Sequence, residues 1–500
     1  MRRTLVLWLL LALCSAAQER PVKITLLQLN DVYTIAPVDK GGVNGGFDRV
    51  ETLRQRAFKE NPNSIFVMGG DTLSPSVASN LFKGAQMIEG WNAVHLDVAV
   101  LGNHEFDFGD EVLLERMKES RFVWLASNVR NRKTGQIFGG MPATLVRELG
   151  GVKVGFFGLL TPETIQTSRA GPDVEITDPV ACARAMVAEL RGQGCQVVVA
   201  MTHLNLAEDL EVAAKVEGID VICGGHEHTL LGGMVGRTPI FKWGSDARML
   251  GKIDLTVQGG GVKHIDWIGL PVNKDVPGDP VVSAMIKRYE DKLNQALGQP
   301  IGTTELELNA LQIDNRNMET NLGDFIADSY RRALNADVAF LNGGSIRSNQ
   351  MLPAGTLTRR DIMTVLPFEN PVVKVEIPGR VLRQAMEHGL SLVGSVPEAG
   401  QFPQVSGMVI KYDARKPPGS RIVEFLVGGE PLRDDMPYTM ASNTFVLAGG
   451  DGYTMLEGLK FLVTAEAGPV EPATVIRAIE AAKTIAPRVE GRILRLDGGR

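Results

Sequence analysis

Five short apolar runs in the first half of the chain each end on polar residues of metal-binding type. The run at 24–27 leads to Asn30-Asp31, and that at 65–68 to Gly69-Gly70-Asp71. The run at 98–101 leads to Gly102-Asn103-His104-Glu105-Phe106-Asp107, that at 197–200 to Thr202-His203, and that at 219–222 to Gly225-His226-Glu227-His228. Runs of this length and composition predict buried β-strands. Between them lie helical periodicities at 46–60, 110–120 and 179–191; Phe47, Val50, Leu53, Arg54 and Ala57 fall along one face of the first. Strands alternating with helices predict an α/β domain. Open sheets of this kind bind ligands beyond the carboxyl ends of their strands, where all five polar groups fall.

The second half changes character. Residues 271–280 are rich in Pro, Asp and Gly and read as a linker. A helix is expected over 281–297, and a second unit over 301–494. That unit has a helix at 321–334, with Leu322, Phe325, Ile326, Ser329 and Tyr330 spaced for burial, and strands at 338–341, 372–377 and 408–412. The resulting division is a leader over 1–17, a first domain over 21–275, a linker and hinge helix over 276–300, and a second domain over 301–494.

At 500 residues and a net charge of −6, the chain has no basic excess to attract a nucleic-acid polymer. Arg2-Arg3, the apolar run 5–13 and Ser15-Ala16-Ala17 form a secretory signal pattern. Leu13 before Cys14 is a poor lipid-attachment site. No later segment approaches the ~20 apolar residues that a membrane span needs, and the C-terminus has no apolar tail of the kind an anchor requires. The expected location is therefore secreted or periplasmic. Cys182, Cys195 and Cys223 remain after the leader. The first two flank a helix too long for a disulfide to bridge, so free buried thiols are expected. The sequence assigns no oligomeric state.

Four of the seven histidines, His104, His203, His226 and His228, follow predicted strands beside Gly or Thr. With Asp31, Asp71 and Asn103 they make the mixed nitrogen and oxygen donor set that divalent ions favour in the absence of thiolates. His95, His264 and His388 lack such settings. Two metals held together can carry a bridging hydroxide and clamp an in-line displacement at phosphorus.

Asp31, Gly-Asp71, Gly102-Asn103-His104-Glu105-x-Asp107, His203 and Gly-His226-x-His228 resemble the calcineurin-type metallophosphoesterase signature. The resemblance implies a four-layer αββα core with two divalent metal ions (Zn, Mn, Co or similar). It implies Asp71 as their bridge, with Asn103, His203 and His226 on one ion and Asp31 and His228 on the other. His104, oriented by Asp107, would form the catalytic dyad. One position departs: the family has Asp-x-His where this chain reads Asp31-Val32-Tyr33. Tyr33 either ligates as a phenolate, hydrogen-bonds a metal-bound water, or leaves the site one ligand short.

In the second unit, Arg316 stands in 315–324, Asn342 and Arg347 in Asn342-Gly343-Gly344-Ser345-Ile346-Arg347, Phe402 before Pro403, and Phe445 six residues before Asp451 in a glycine-rich stretch. Two phenylalanines can sandwich a base, an aspartate can accept from ribose hydroxyls, and arginines suit phosphate. The bland alternative reads the arginines as surface charge and the phenylalanines as core. These segments resemble the C-terminal domain of the secreted 5′-nucleotidase and UDP-sugar hydrolase family. That resemblance implies stacking by Phe402 and Phe445, ribose contact by Asp451, and phosphate contact by Asn342, Arg316 and Arg347. It also implies a C-terminal domain that rotates to carry the nucleotide to the metals. The reaction expected is hydrolysis of nucleoside 5′-monophosphates. Hydrolysis of UDP-sugars or 2′,3′-cyclic nucleotides on the same scaffold, a thiosulfohydrolase-like relative, and a nucleotide-binding protein with a disabled centre are the alternatives.

Overall fold

The computed structural model describes residues 20–498 apart from 40, 369, 397, 398 and 466. The expected leader therefore lies outside the described residues. Among the described residues no helix is long and apolar enough to cross a membrane.

The first half builds two six-stranded sheets packed face to face. One runs Gly261–Pro271, Met249–Gln258, Val22–Leu29, Ser64–Met68, Val98–Val100, Val123–Leu125. Its last four strands are parallel. The other runs Leu230–Val235, Thr238–Trp243, Val221–Gly224, Val197–His203, Val152–Leu160, Thr144–Leu149, with four parallel strands at its centre. Alternation along each strand divides the core, because successive side chains face opposite sides. Ile24, Leu26, Ile65 and Val67 lie in the cluster between the sheets, together with Phe156, Val199 and Met201 of the opposing sheet. Leu27, Leu29, Phe66 and Met68 face outward into a cluster under the helices Phe47–Glu60 and Ala85–Ala93. The second sheet is covered by Pro179–Gly192 and Leu206–Lys215. This is the expected αββα sandwich. The centre strands are apolar on both faces because both faces are covered.

The second half is built on a mixed sheet, Pro403–Ser406, Val338–Asn342, Pro437–Asn443, Val372–Pro378, Lys460–Val463. Helices Asn321–Leu334, Arg359–Val365 and Glu471–Ala482 contribute to the core on one face, and Gly379–Leu390 to the core on the other.

The stretch expected to be a linker is instead docked. Val272 and Val276 are buried in the first domain's outer core, and Lys274 donates its main-chain N–H to the Val43 carbonyl. The helix Pro280–Leu297 begins on an Asp279 cap and inserts Val282, Met285 and Ile286 into the same core. Its far end meets the second domain, where Arg360 donates to Glu290 at 2.7 Å and to Asn294 at 2.5 Å. Cys182, Cys195 and Cys223 are free and buried, as expected.

Candidate active site

The strand ends deliver their side chains to one point, and the backbone bends to do it. Asp31, Asp71 and His226 have φ of 54°, 61° and 80°. This left-handed region is rare for residues with a side chain, and its use marks positions that the surroundings over-determine. Gly102 admits the close approach: a Cβ there would fall 2.2 Å from Asp71 Oδ1.

Asp71 Oδ2 lies 3.2 Å from His203 Nε2, and its Oδ1 accepts the His104 main-chain N–H at 2.9 Å. His203 Nδ1 faces the Gly69 carbonyl at 2.8 Å, which assigns a proton to Nδ1 and turns Nε2 toward the centre. Asn103 Oδ1 is 3.1 Å and His226 Nδ1 3.3 Å from that same Nε2. Asp31 Oδ2 accepts the His226 main-chain N–H at 2.9 Å, and Asp31 Oδ1 is 3.5 Å from His228 Nε2. Ligand atoms of Asp71, His203 and His226 all fall within 4.8 Å of one another. Two carboxylates, a carboxamide and three imidazoles thus converge, and this donor set fits divalent cations.

The charges follow the geometry. Burial drives the carboxyls of Asp31 and Asp71 up, but the facing imidazoles outweigh it and hold both below the usual range. Burial opposes a charge on His203, yet Asp71 raises its pKa to about 10; burial and His203 together lower His226 to about 3.

His104 stands beside this centre. Its Nδ1 is 2.8 Å from Asp107 Oδ2 and its Nε2 is 3.9 Å from Asp71 Oδ2. Burial disfavours its charged form, but Asp107 and Asp71 raise its pKa. Tyr33 sits among the donors: its Oη is 2.7 Å from His228 Nε2 and 3.3 Å from both Asp31 Oδ1 and Asp71 Oδ2. Burial, with the two aspartates, holds its phenol well above its usual value.

Two supports were not singled out by sequence reasoning. The fully buried Glu105 carboxylate accepts the main-chain N–H groups of Asp71, Thr72, Leu73 and Gly102. It therefore fixes the turns on both sides of the centre. Its only sequence signal was its place inside the 102–107 motif. Lys242, with no exposed surface, contacts Asp209 at 2.8 Å, the Leu204 carbonyl at 2.7 Å, and Glu227. Asp209 in turn accepts from Thr202 Oγ1 at 2.7 Å. One ammonium thus fastens the segments that carry His203, His226 and His228.

The second domain closes over this centre, and the cleft between them measures about 670 Å³. Asp71, Asn103, His104, Asp107, His226 and His228 line it from one side, and Arg316, Asn342, Arg347, Phe445 and Asp451 from the other. Asn342 Nδ2 donates to Asp451 Oδ2 at 2.6 Å, and Asp451 has φ of 51°. Phe445 has room because position 450 is glycine: a Cβ there would meet its ring at 2.6 Å. Phe402 departs from expectation. It is 1% exposed and packs in the core with Phe340 and Tyr453, so it does not face the cleft. It directly precedes the strand Pro403–Ser406, every residue of which is buried. Phe368 and Phe108 instead line the cleft with Phe445.

The chain matches the calcineurin-like phosphoesterase family over residues 24–230 and the 5′-nucleotidase C-terminal domain over residues 300–458. Among curated relatives, a snake venom 5′-nucleotidase of Naja atra is 30% identical, over 94% of this chain and 98% of its own. The human 5′-nucleotidase is 28% identical over 94% of this chain and 90% of its own. A 5′-nucleotidase precursor from Thermus thermophilus has a solved structure that superposes with a TM-score of 0.85 at 28% identity, over 96% of this chain and 100% of that one. With both halves matched in order and relatives aligned along nearly their whole length, the chain belongs to the 5′-nucleotidase family.

Proposed function

We propose that the protein hydrolyses nucleoside 5′-monophosphates to nucleoside and phosphate. The observation that carries this reading is the single cleft: cation-binding donors line one wall, while an aromatic ring, an aspartate and two arginines line the other. The family relatives support it, since those cited are named for this activity.

Asp71 would bridge two divalent ions, with Asn103, His203 and His226 on one and Asp31 and His228 on the other. When bound, such ions activate water and neutralise charge at a phosphoryl group. Tyr33 hydrogen-bonds the side chains of Asp31, Asp71 and His228. Phe445 stacks on the base and Asp451 accepts from the ribose. Arg316, Arg347 and Asn342 hold the phosphate. Hydrolysis breaks the bond from phosphorus to the 5′-oxygen, and that oxygen needs a proton. Because Asp107 engages Nδ1 of His104, the proton to be delivered sits on Nε2. The helix Pro280–Leu297 is the place for a hinge, and secretion or a periplasmic location remains part of the proposal.

A second reading rests on two further cations, Lys83 and Arg169, that also line the cleft. The two phosphates of a UDP-sugar would use them.

The test is phosphate release from 5′-AMP and 3′-AMP, with formation of UMP and glucose 1-phosphate from UDP-glucose beside it, after metal removal and readdition of Mn²⁺, Zn²⁺ or Co²⁺. Metal-dependent release from 5′-AMP and not 3′-AMP is expected. No release from any nucleotide with any metal overturns the proposal, and turnover of UDP-glucose alone selects the second reading.

A further inference from the structure

Arg347 is held in an unusual way. Among the described residues its guanidinium has no hydrogen-bond or ion-pair partner; it lies over two aromatic rings. Its Cζ is 5.5 Å from the Tyr33 ring centre and 5.6 Å from that of Phe368. A guanidinium fixed by ring faces keeps its planar fork of N–H donors available to an anion. Phe368 also stacks on His104, with ring centres 5.8 Å apart and planes at 25°. Tyr33 meets the same imidazole edge-on at 6.0 Å and 87°. One cluster of four side chains therefore joins the two domains: Tyr33 and His104 from the first, Arg347 and Phe368 from the second.

A backbone hydrogen bond ties the two second-domain members of the cluster together. The Arg347 main-chain N–H donates to the Val365 carbonyl at 2.9 Å, three residues before Phe368. The segment is tied across the interface where Asn80 Nδ2 donates to the Pro367 carbonyl at 2.5 Å. Seating Phe368 against His104 therefore also seats Arg347 over Tyr33.

We infer that Phe368 is a positioning residue that docks the second domain on His104 and, together with Tyr33, aims the Arg347 guanidinium at the phosphate. This rests on the phosphate-holding role proposed above for Arg347. It also gives the tyrosine in the Asp-x-Tyr motif a use that the family's histidine would not serve in the same way: its ring is a face for the guanidinium.

The experiment measures inorganic phosphate binding to the Mn²⁺-loaded full chain by isothermal titration, with bound metal counted in parallel. Phe368→Ala is expected to weaken phosphate about tenfold, to raise KM for 5′-AMP with it, and to leave metal content unchanged. Phe368→Tyr restores binding, and Arg347→Lys, which keeps the charge but loses the plane, shows the same loss as Phe368→Ala. Unchanged phosphate affinity in Phe368→Ala overturns the inference, as does loss of metal in step with phosphate. The readout needs no turnover. If the wild-type chain binds phosphate through this cluster yet hydrolyses no nucleotide, the proposed activity fails while the positioning role stands.

Discussion

The two walls of the cleft bury acid in opposite ways. On the first domain's side, Asp31 and Asp71 are enclosed and still held as carboxylates, because imidazoles surround them. On the second domain's side, burial raises Asp451 despite Asn342 and nearby arginines. Deeper in the same domain burial lifts Asp324 to about 9 and Glu471 to about 7. The first wall keeps negative charge concentrated at one point, which suits multivalent cations. The second places Arg316 and Arg347 in the cleft, which suits a phosphate-bearing ligand. The contrast teaches that the neighbours given to a buried acid decide which way its pKa moves.

The strongest way to break the contrast is Asp71→Asn. Removing the carboxylate central to the donor set is expected to lower kcat by on the order of 10³-fold and to reduce bound metal, read by rate assay and elemental analysis. Lys242→Met attacks the same wall from behind. It strands Asp209 and Glu227, so unfolding stability should fall by about 3–5 kcal/mol in denaturant titration. Metal affinity should fall by roughly 10–100-fold, as for lost outer partners of metal ligands.

On the other wall, two phenylalanines sharpen the comparison. Phe445→Ala is expected to remove about 1–3 kcal/mol of base stacking, seen as a raised KM for 5′-AMP with a smaller change in kcat. Phe402→Ala instead opens a cavity and should cost about 3–5 kcal/mol of stability, with base discrimination unaltered. A Phe402→Ala variant of normal stability and raised KM contradicts the buried placement. The smallest effect is in pH. The pKa of Glu471 in the folded chain, about 7, lies above its ordinary 4.5. Its favourable contribution is therefore complete below pH 4.5 and lost as pH rises toward 7. Glu471→Gln should match wild type in Tm at the acid end and exceed it above neutrality, by the equivalent of roughly 1–3 kcal/mol at most.

The sandwich and its donors were legible because alternation and strand-end glycines are local signals. The runs at 24–27, 65–68 and 197–200 announce covered strands, and the polar residue after each can face only the sheet's carboxyl edge. Phe402 was not legible: a phenylalanine between Gln401 and Pro403 can face the core or the cleft, and the residues that share its core, Phe340 and Tyr453, lie far away in the chain. Glu105 and Lys242 escaped for another reason. A lone Glu or Lys reads as solvated, and its burial depends on partners more than thirty residues away, such as Asp71 for Glu105 and Asp209 for Lys242. The 271–280 stretch misled by composition, since its valines, not its prolines, decide that it docks.

The three cysteines carry a consequence for chemistry in the test tube. Burial pushes Cys182 up to about 11 and Cys223 up to about 12, so at neutral pH the folded chain presents almost no thiolate there. Alkylating reagents react with thiolate and not thiol. Labelling of Cys223 therefore has to wait for the sandwich to open, and its rate becomes a clock for global unfolding under native conditions. A metal that binds the folded centre should slow that clock in proportion to its affinity, which turns an inert side chain into a reporter of occupancy that works with no substrate present.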